Sequence, residues 1–123
     1  MRIMLKSKIH RARITRVNID YEGSIAIDEK LLKEADILPY EQVQVLNLNN
    51  GSRFATYAIK GGDGEICLNG AAARLGAKGD LVIILTYCDV ADSELENYAP
   101  RLIKVSSKNA VVESNRLLEG LSL

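Results

Sequence analysis

From residue 4 to residue 19 the chain reads MLKSKIHRARITRVNI, with neither Gly nor Pro. Its alternation is imperfect: Lys6, Lys8 and His10 share one parity, while Ile9, Arg11 and Arg13 share the other. That pattern predicts one long strand. YEGS, residues 21–24, reads as a tight turn. DEKLLKEADI, residues 28–37, predicts a short helix. Asp28 is placed to cap it, Glu29 falls where the helix dipole favours an acid, and Ile27 is spaced to staple against Leu32. Pro39 closes that unit.

EQVQVLNLNNGSRFATYAIK carries the clearest local signal. Val43, Val45 and Leu48 lead into an Asn-Asn-Gly-Ser turn, and RFATYAI returns as the partner strand of a hairpin. GGDG at 61–64 is a loop, EICL a short strand, and NGAAARLG a turn opening a small helical segment that ends near Gly76. LVIILTYC is apolar enough to predict a buried strand. DSELENYA predicts one or two helical turns and RLIKVS a last strand, with the remainder to Leu123 a loose or oligomer-docked tail. Short strands separated by brief helices make the expected class mostly β, a small barrel.

Composition adds bounds. At 123 residues the chain predicts a single domain, 1–123. Its 47% apolar and 26% charged residues are those of a globular chain rather than a disordered one. Net charge is zero, but residues 1–16 hold six basic side chains and no acid, whereas residues 17–48 hold seven acids against two bases. The asymmetry suggests a basic surface patch or a pocket for a small anion. Cys67 and Cys88 sit in apolar segments and read as buried free thiols, and one His with two isolated Cys has no metal-ligand spacing. No apolar run approaches the ~20 residues that span a bilayer, and the N-terminus lacks a signal peptide's apolar stretch, so no membrane partner and a cytoplasmic location are expected.

Single features carry little chemistry. One Phe, five Tyr and no Trp give no interleaved aromatics of the kind that stack bases. GGDG and LNG lack the spacing and context of a phosphate loop. His10 has no acid partner at a telling spacing and reads as a satisfied structural histidine. On these grounds alone a rival reading stays open: a non-catalytic small β-barrel that binds nucleic acid or a partner protein through residues 2–16.

The blocks MLKSKIHRARIT, YEGSIAID, NGSRFATYAI, NGAAA and GDLVII, in that order and separation, resemble the pyruvoyl-dependent aspartate decarboxylase family over residues 1–89. GGDG and the stretch beyond Asp89 do not carry the likeness. The resemblance implies a double-psi β-barrel with short helices, assembled as a homotetramer with no nucleic-acid partner. It implies decarboxylation of L-aspartate to β-alanine and CO2, a step toward pantothenate. It further implies a precursor that cuts itself at Gly23–Ser24 into a β chain of residues 1–23 and an α chain of residues 24–123. The α chain would begin with a pyruvoyl group made from Ser24, the covalent cofactor. Maturation by the chain alone and maturation with a helper protein are both compatible with the sequence.

Each implied role has a chemical reason. The Ser24 hydroxyl attacks the Gly23 carbonyl carbon and the acyl group shifts to oxygen. β-Elimination of the ester and hydrolysis of the dehydroalanine then release ammonia and leave pyruvoyl. Gly23 removes a Cβ from the attack path and tolerates strain. Thr56, with Asn69 in support, would polarise the scissile carbonyl. The pyruvoyl ketone would form a Schiff base with substrate and act as its electron sink, and Tyr57 matches the family's proton donor. Arg53 would grip one substrate carboxylate bidentately, and Lys8, beside the turn with His10, would meet the other. Gly70, Ala71 and Ala72 would admit the substrate to close backbone approach. Strand alternation sets Thr56 and Tyr57 on opposite faces and Arg53 with Tyr57 on one. Whether glutamate is also accepted is left open by these residues.

Overall fold

The computed structural model describes residues 1–116. Nine strands and one α-helix are joined by two 3-10 helices, a mostly β fold consistent with the expected small barrel. The strands are β1 (Arg2–Arg13), β2 (Arg16–Asn18), β3 (Ser24–Asp28), β4 (Gln42–Asn47), β5 (Arg53–Gly61), β6 (Ile66–Asn69), β7 (Leu81–Val90), β8 (Arg101–Val105) and β9 (Val111–Arg116). Their hydrogen-bonded order is β2-β6-β3-β5-β4-β7-β1-β8-β9, with β1/β8, β2/β6 and β3/β5 parallel. Among the described residues no helix is long and apolar enough to cross a membrane.

That order dictates curvature. Arg13 ends β1 and Arg16 begins β2, three residues that reach at most ~11 Å. Six strand steps separate β1 from β2, ~29 Å across a flat sheet. The sheet must therefore curl until its two sides meet at Ile14–Thr15. There Ile14 N–H donates to Asp80 O at 2.9 Å and Thr15 N–H to Ile66 O at 2.8 Å.

The long strand expected over 4–19 is thus two strands. Register shifts between Leu5 and Ser7 and between Ile9 and Ala12 add residues on the β1 side, and Arg11 takes φ 64. These bulges bend β1 off the sheet. Buried Asn109 holds the exit: its Oδ1 accepts from Arg13 N–H at 2.7 Å, and its Nδ2 donates to Arg13 O at 2.8 Å and Gly64 O at 2.9 Å.

α1 (Glu29–Ala35) forms as its local signals require. Asp28 Oδ1 accepts from Lys30 N–H at 2.8 Å, and Asp36 ends the helix in the left-handed region with φ 56. Leu31, Leu32 and Ala35 are buried, and with Ile27 they belong to the core formed with Ile9, Val43, Val45 and Ile84. Each fully buried Leu contributes ~2 kcal/mol. Asp28 is also tied outward, because its Oδ2 accepts from Gly64 N–H at 2.7 Å. Asp28→Ala would lose both contacts.

One strand is added to the sequence reading, and two further expectations need correction. SIAID is a strand, β3, buried along its whole length between β5 and β6. The tail is not loose over 107–116, where a turn closed by Asn109 N–H on Ser106 O leads into β9, paired antiparallel with β8; residues 117–123 lie outside the described residues. β7 is buried at Val82 and Ile84 but leaves Tyr87 exposed, and Cys88 is half-buried rather than buried.

Candidate active site around the Gly23–Ser24 peptide

Ser24 is the first residue of β3, and the antiparallel register sets it opposite Asn69, the last of β6. Ala26 and Cys67 are the next pair on that face, while Ile25, Ile27, Ile66 and Leu68 turn inward to the core. Ser24, Asn69 and Cys67 are each no more than 3% exposed. Asn69 Nδ2 donates to Ser24 Oγ at 3.0 Å, and Cys67 Sγ donates to Asn69 Oδ1 at 3.3 Å. With the thiol occupying the amide oxygen, the NH2 group is left to face the serine. The Ser24 hydroxyl makes a long bond of 3.4 Å to Glu22 O.

Packing here requires glycine at position 70. Gly70 has φ 62, and a Cβ on it would stand 2.7 Å from both Gly23 Cα and Gly23 N and 2.9 Å from Tyr21 O. Its backbone is thus pressed against the peptide preceding Ser24. Gly23 itself is outside the left-handed region, and beyond its chain neighbours a Cβ there would meet nothing within 4 Å. Apart from Glu22 and Ser24 themselves, nothing in the folded chain crowds that position.

The parallel register of β3 with β5 pairs Ile25 with Ala58. Continued back, it sets Tyr57 level with Ser24 and Thr56 level with Gly23. Thr56 pairs with buried Val43 and so faces the core side, whereas Tyr57 pairs with exposed Gln42 on the outer face. The two residues do face opposite ways. Gly70 and Ala72 are buried and Ala71 exposed at the start of the 3-10 helix Gly70–Leu75.

The expected carboxylate ligands stand on two strands other than the one that carries Ser24. Arg53 shares the outer face with Tyr57 but lies four residues, ~13 Å, back along β5. Lys8 is on β1, which is not a neighbour of β3 in the strand order. The cations that do border the Ser24 region are Arg16 and Lys60. They line a cavity of 210 Å³ with Tyr21, Glu65, Cys67 and Asn69. Nothing in the linear sequence connects these two to residue 24; only the strand order does.

His10 is not a satisfied histidine. Its Nδ1 is buried and has no hydrogen-bond partner among the described residues. Burial foremost, then the positive charges of Lys8, Arg11 and Lys104, hold its pKa below the ordinary 6.5. Lys104 is opposite His10 on β8 and also pairs with Glu113 of β9 at 3.7 Å.

The sequence profile described as Aspartate decarboxylase matches residues 1–112, well past the residue 89 limit of the recognisable blocks. Curated relatives agree. An aspartate 1-decarboxylase of Syntrophobacter fumaroxidans is 57% identical over 110 residues, covering 88% of this chain and 89% of its own. One from Thermoanaerobacter pseudethanolicus is 57% identical over 113 residues, 90% of this chain and 97% of its own. One from Staphylococcus aureus is 50% identical over 115 residues, 92% and 91% of the two chains. The chain belongs to the aspartate decarboxylase family.

Proposed function

We propose that this chain is a pyruvoyl-dependent aspartate 1-decarboxylase that matures by cutting itself between Gly23 and Ser24. The observation that carries the reading is the buried Ser24 hydroxyl, held by Asn69 at the head of β3, in a chain of this family. For the cut, the Ser24 oxygen must reach the carbonyl carbon of the preceding residue. Gly70 pins Gly23 from one side while Asn69 fixes the hydroxyl from the other. The Asn69 donor suits the step in which Oγ, by then an ester oxygen, leaves with negative charge. Thr56, level with Gly23, would polarise its carbonyl.

The residues present fit the pyruvoyl group, since it would occupy the place of Ser24 with the Asn69 amide as a donor beside it. When formed it supplies an electron sink for loss of the substrate's α-carboxylate. Tyr57, level with it on β5, would deliver the proton to the carbon that the carboxylate leaves. Ala71 and Ala72 keep the approach beside Gly70 narrow but open. Arg53 and Lys8 would hold the substrate carboxylates. The assembled enzyme would be a homotetramer.

Intact-mass measurement tests the reading: two peptides are expected, ending at Gly23 and beginning at residue 24, with Ser24→Ala remaining one chain. A wild-type chain that stays whole on prolonged incubation, with and without cell extract to supply a helper, would refute it.

A further inference from the structure

Tyr40 is an unusual residue for its position. It lies between α1 and β4 with φ 71, in the left-handed region that strains a bulky side chain, and it is 78% exposed. A glycine or asparagine would make the same turn with less strain, and so little burial gives folding small reason to retain an aromatic. The surroundings nevertheless hold this backbone firmly. Tyr40 N–H donates to Ala58 O at 2.7 Å, and Ala58 N–H returns a bond to Glu41 O at 3.0 Å. The Glu41 carboxylate accepts from Leu38 N–H at 3.0 Å and from half-buried Lys6 Nζ at 2.6 Å. The connector is thus strapped to β5 one residue away from Tyr57. The product of this strapping is a ring contact: the Tyr40 and Tyr57 centroids are 6.2 Å apart at an interplanar angle of 38°.

We infer that Tyr40 is a positioning residue for Tyr57, its ring holding the Tyr57 phenol in one orientation over the face shared with Ser24. The inference rests on Tyr57 being the proton donor of the proposed reaction. A half-buried tyrosine has two rotatable side-chain bonds, so without a neighbour its oxygen is spread over several positions, few of them within reach of the carbon to be protonated. A tilted ring pair at this separation biases such an equilibrium by roughly 2- to 10-fold. The strain at Tyr40 then has a use, because the left-handed turn is what aims the ring back at β5.

The test compares Tyr40→Gly, Tyr40→Asn, Tyr40→Phe and Tyr57→Phe in the cut, assembled enzyme. Gly and Asn both tolerate the turn, so each removes the ring without adding strain, and a second variant remains if one folds poorly. Their kcat for aspartate is expected to fall ~2- to 10-fold with KM and cutting rate unchanged and the melting temperature no lower. Tyr40→Phe, which keeps the ring, should retain the wild-type kcat. Wild-type kcat in the Gly and Asn variants overturns the inference, as does a Phe variant as slow as they are. If those results come with an inactive Tyr57→Phe, only the positioning role falls. A fully active Tyr57→Phe overturns the proton-donor reading and this inference with it.

Discussion

Replacing Gly70 by Ala tests how tightly the residue after Asn69 holds the peptide at which cutting is proposed. Two separable penalties follow from the geometry. The backbone conformation, φ 62, disfavours any Cβ by ~1 kcal/mol. The new methyl would also stand 2.7 Å from Gly23 Cα and N and 2.9 Å from Tyr21 O, all of them backbone atoms with no rotamer to yield. Restoring ordinary contact requires a shift of ~0.7 Å, and overpacking of this kind costs ~1–3 kcal/mol. The total is ~2–4 kcal/mol, shared between global stability and displacement of Gly23 from Ser24 Oγ. Misplacing reacting atoms by 1 Å lowers rates by up to ~100-fold, so cutting should slow by at least ~10-fold. The assay is a time course of intact mass beside thermal unfolding. Gly51→Ala is the control, because Gly51 has φ 77 but open space around it, leaving the conformational penalty alone. A Gly70→Ala chain cut at the wild-type rate, with no greater loss of stability than Gly51→Ala, would refute the interlock.

Other consequences are as direct. Asn69→Asp is nearly isosteric but turns the donor facing Ser24 Oγ into a buried carboxylate; cutting should slow by at least ~10-fold and the melting temperature should fall. Equal cutting rates by intact mass would exclude a role for the Nδ2 donor. Asn109→Ala, in an uncut Ser24→Ala chain, strands the Arg13 N–H and two carbonyls and should lose ~3 kcal/mol in urea unfolding at an unchanged m value. A loss under ~1 kcal/mol would show that Arg13 finds other partners. His10, the one histidine in the chain, should titrate by NMR below 6.5, and Lys104→Gln should move it upward. Since its pKa is lower folded than unfolded, its contribution to stability is intact above 6.5 and is lost as pH falls through the folded value. A titration midpoint at or above 6.5 would contradict the burial described.

What could be read in advance was what neighbouring residues decide among themselves. The Asp28 cap, the buried Leu31–Leu32 face and the hairpin of Val43 and Val45 about Asn50–Gly51 all depend on contacts within a few positions. β3 escaped because SIAI is apolar on both faces and so has no period, and its pairing partners lie more than 30 residues away. β9 escaped because VVESNR is an exposed edge whose only strand mark is its ladder to β8. The site divides along the same line. The opposite facing of Thr56 and Tyr57 was legible. The hold of Cys67 on Asn69 and the pressure of Gly70 on Gly23 depend on strand order, which no local pattern encodes.

The place of β1 bears on the order of events in the molecule's life. Residues 1–23 contain β1, which is flanked by β7 and β8, so the piece released by a cut at Gly23–Ser24 would be an interior stave rather than a trailing end. The two products would stay together as long as the fold lasts. Once denatured, however, they would have to find each other again as separate molecules, and recovery would become slow in dilute solution where that of the precursor is not. Folding must then precede cutting, and each molecule would fold easily only once.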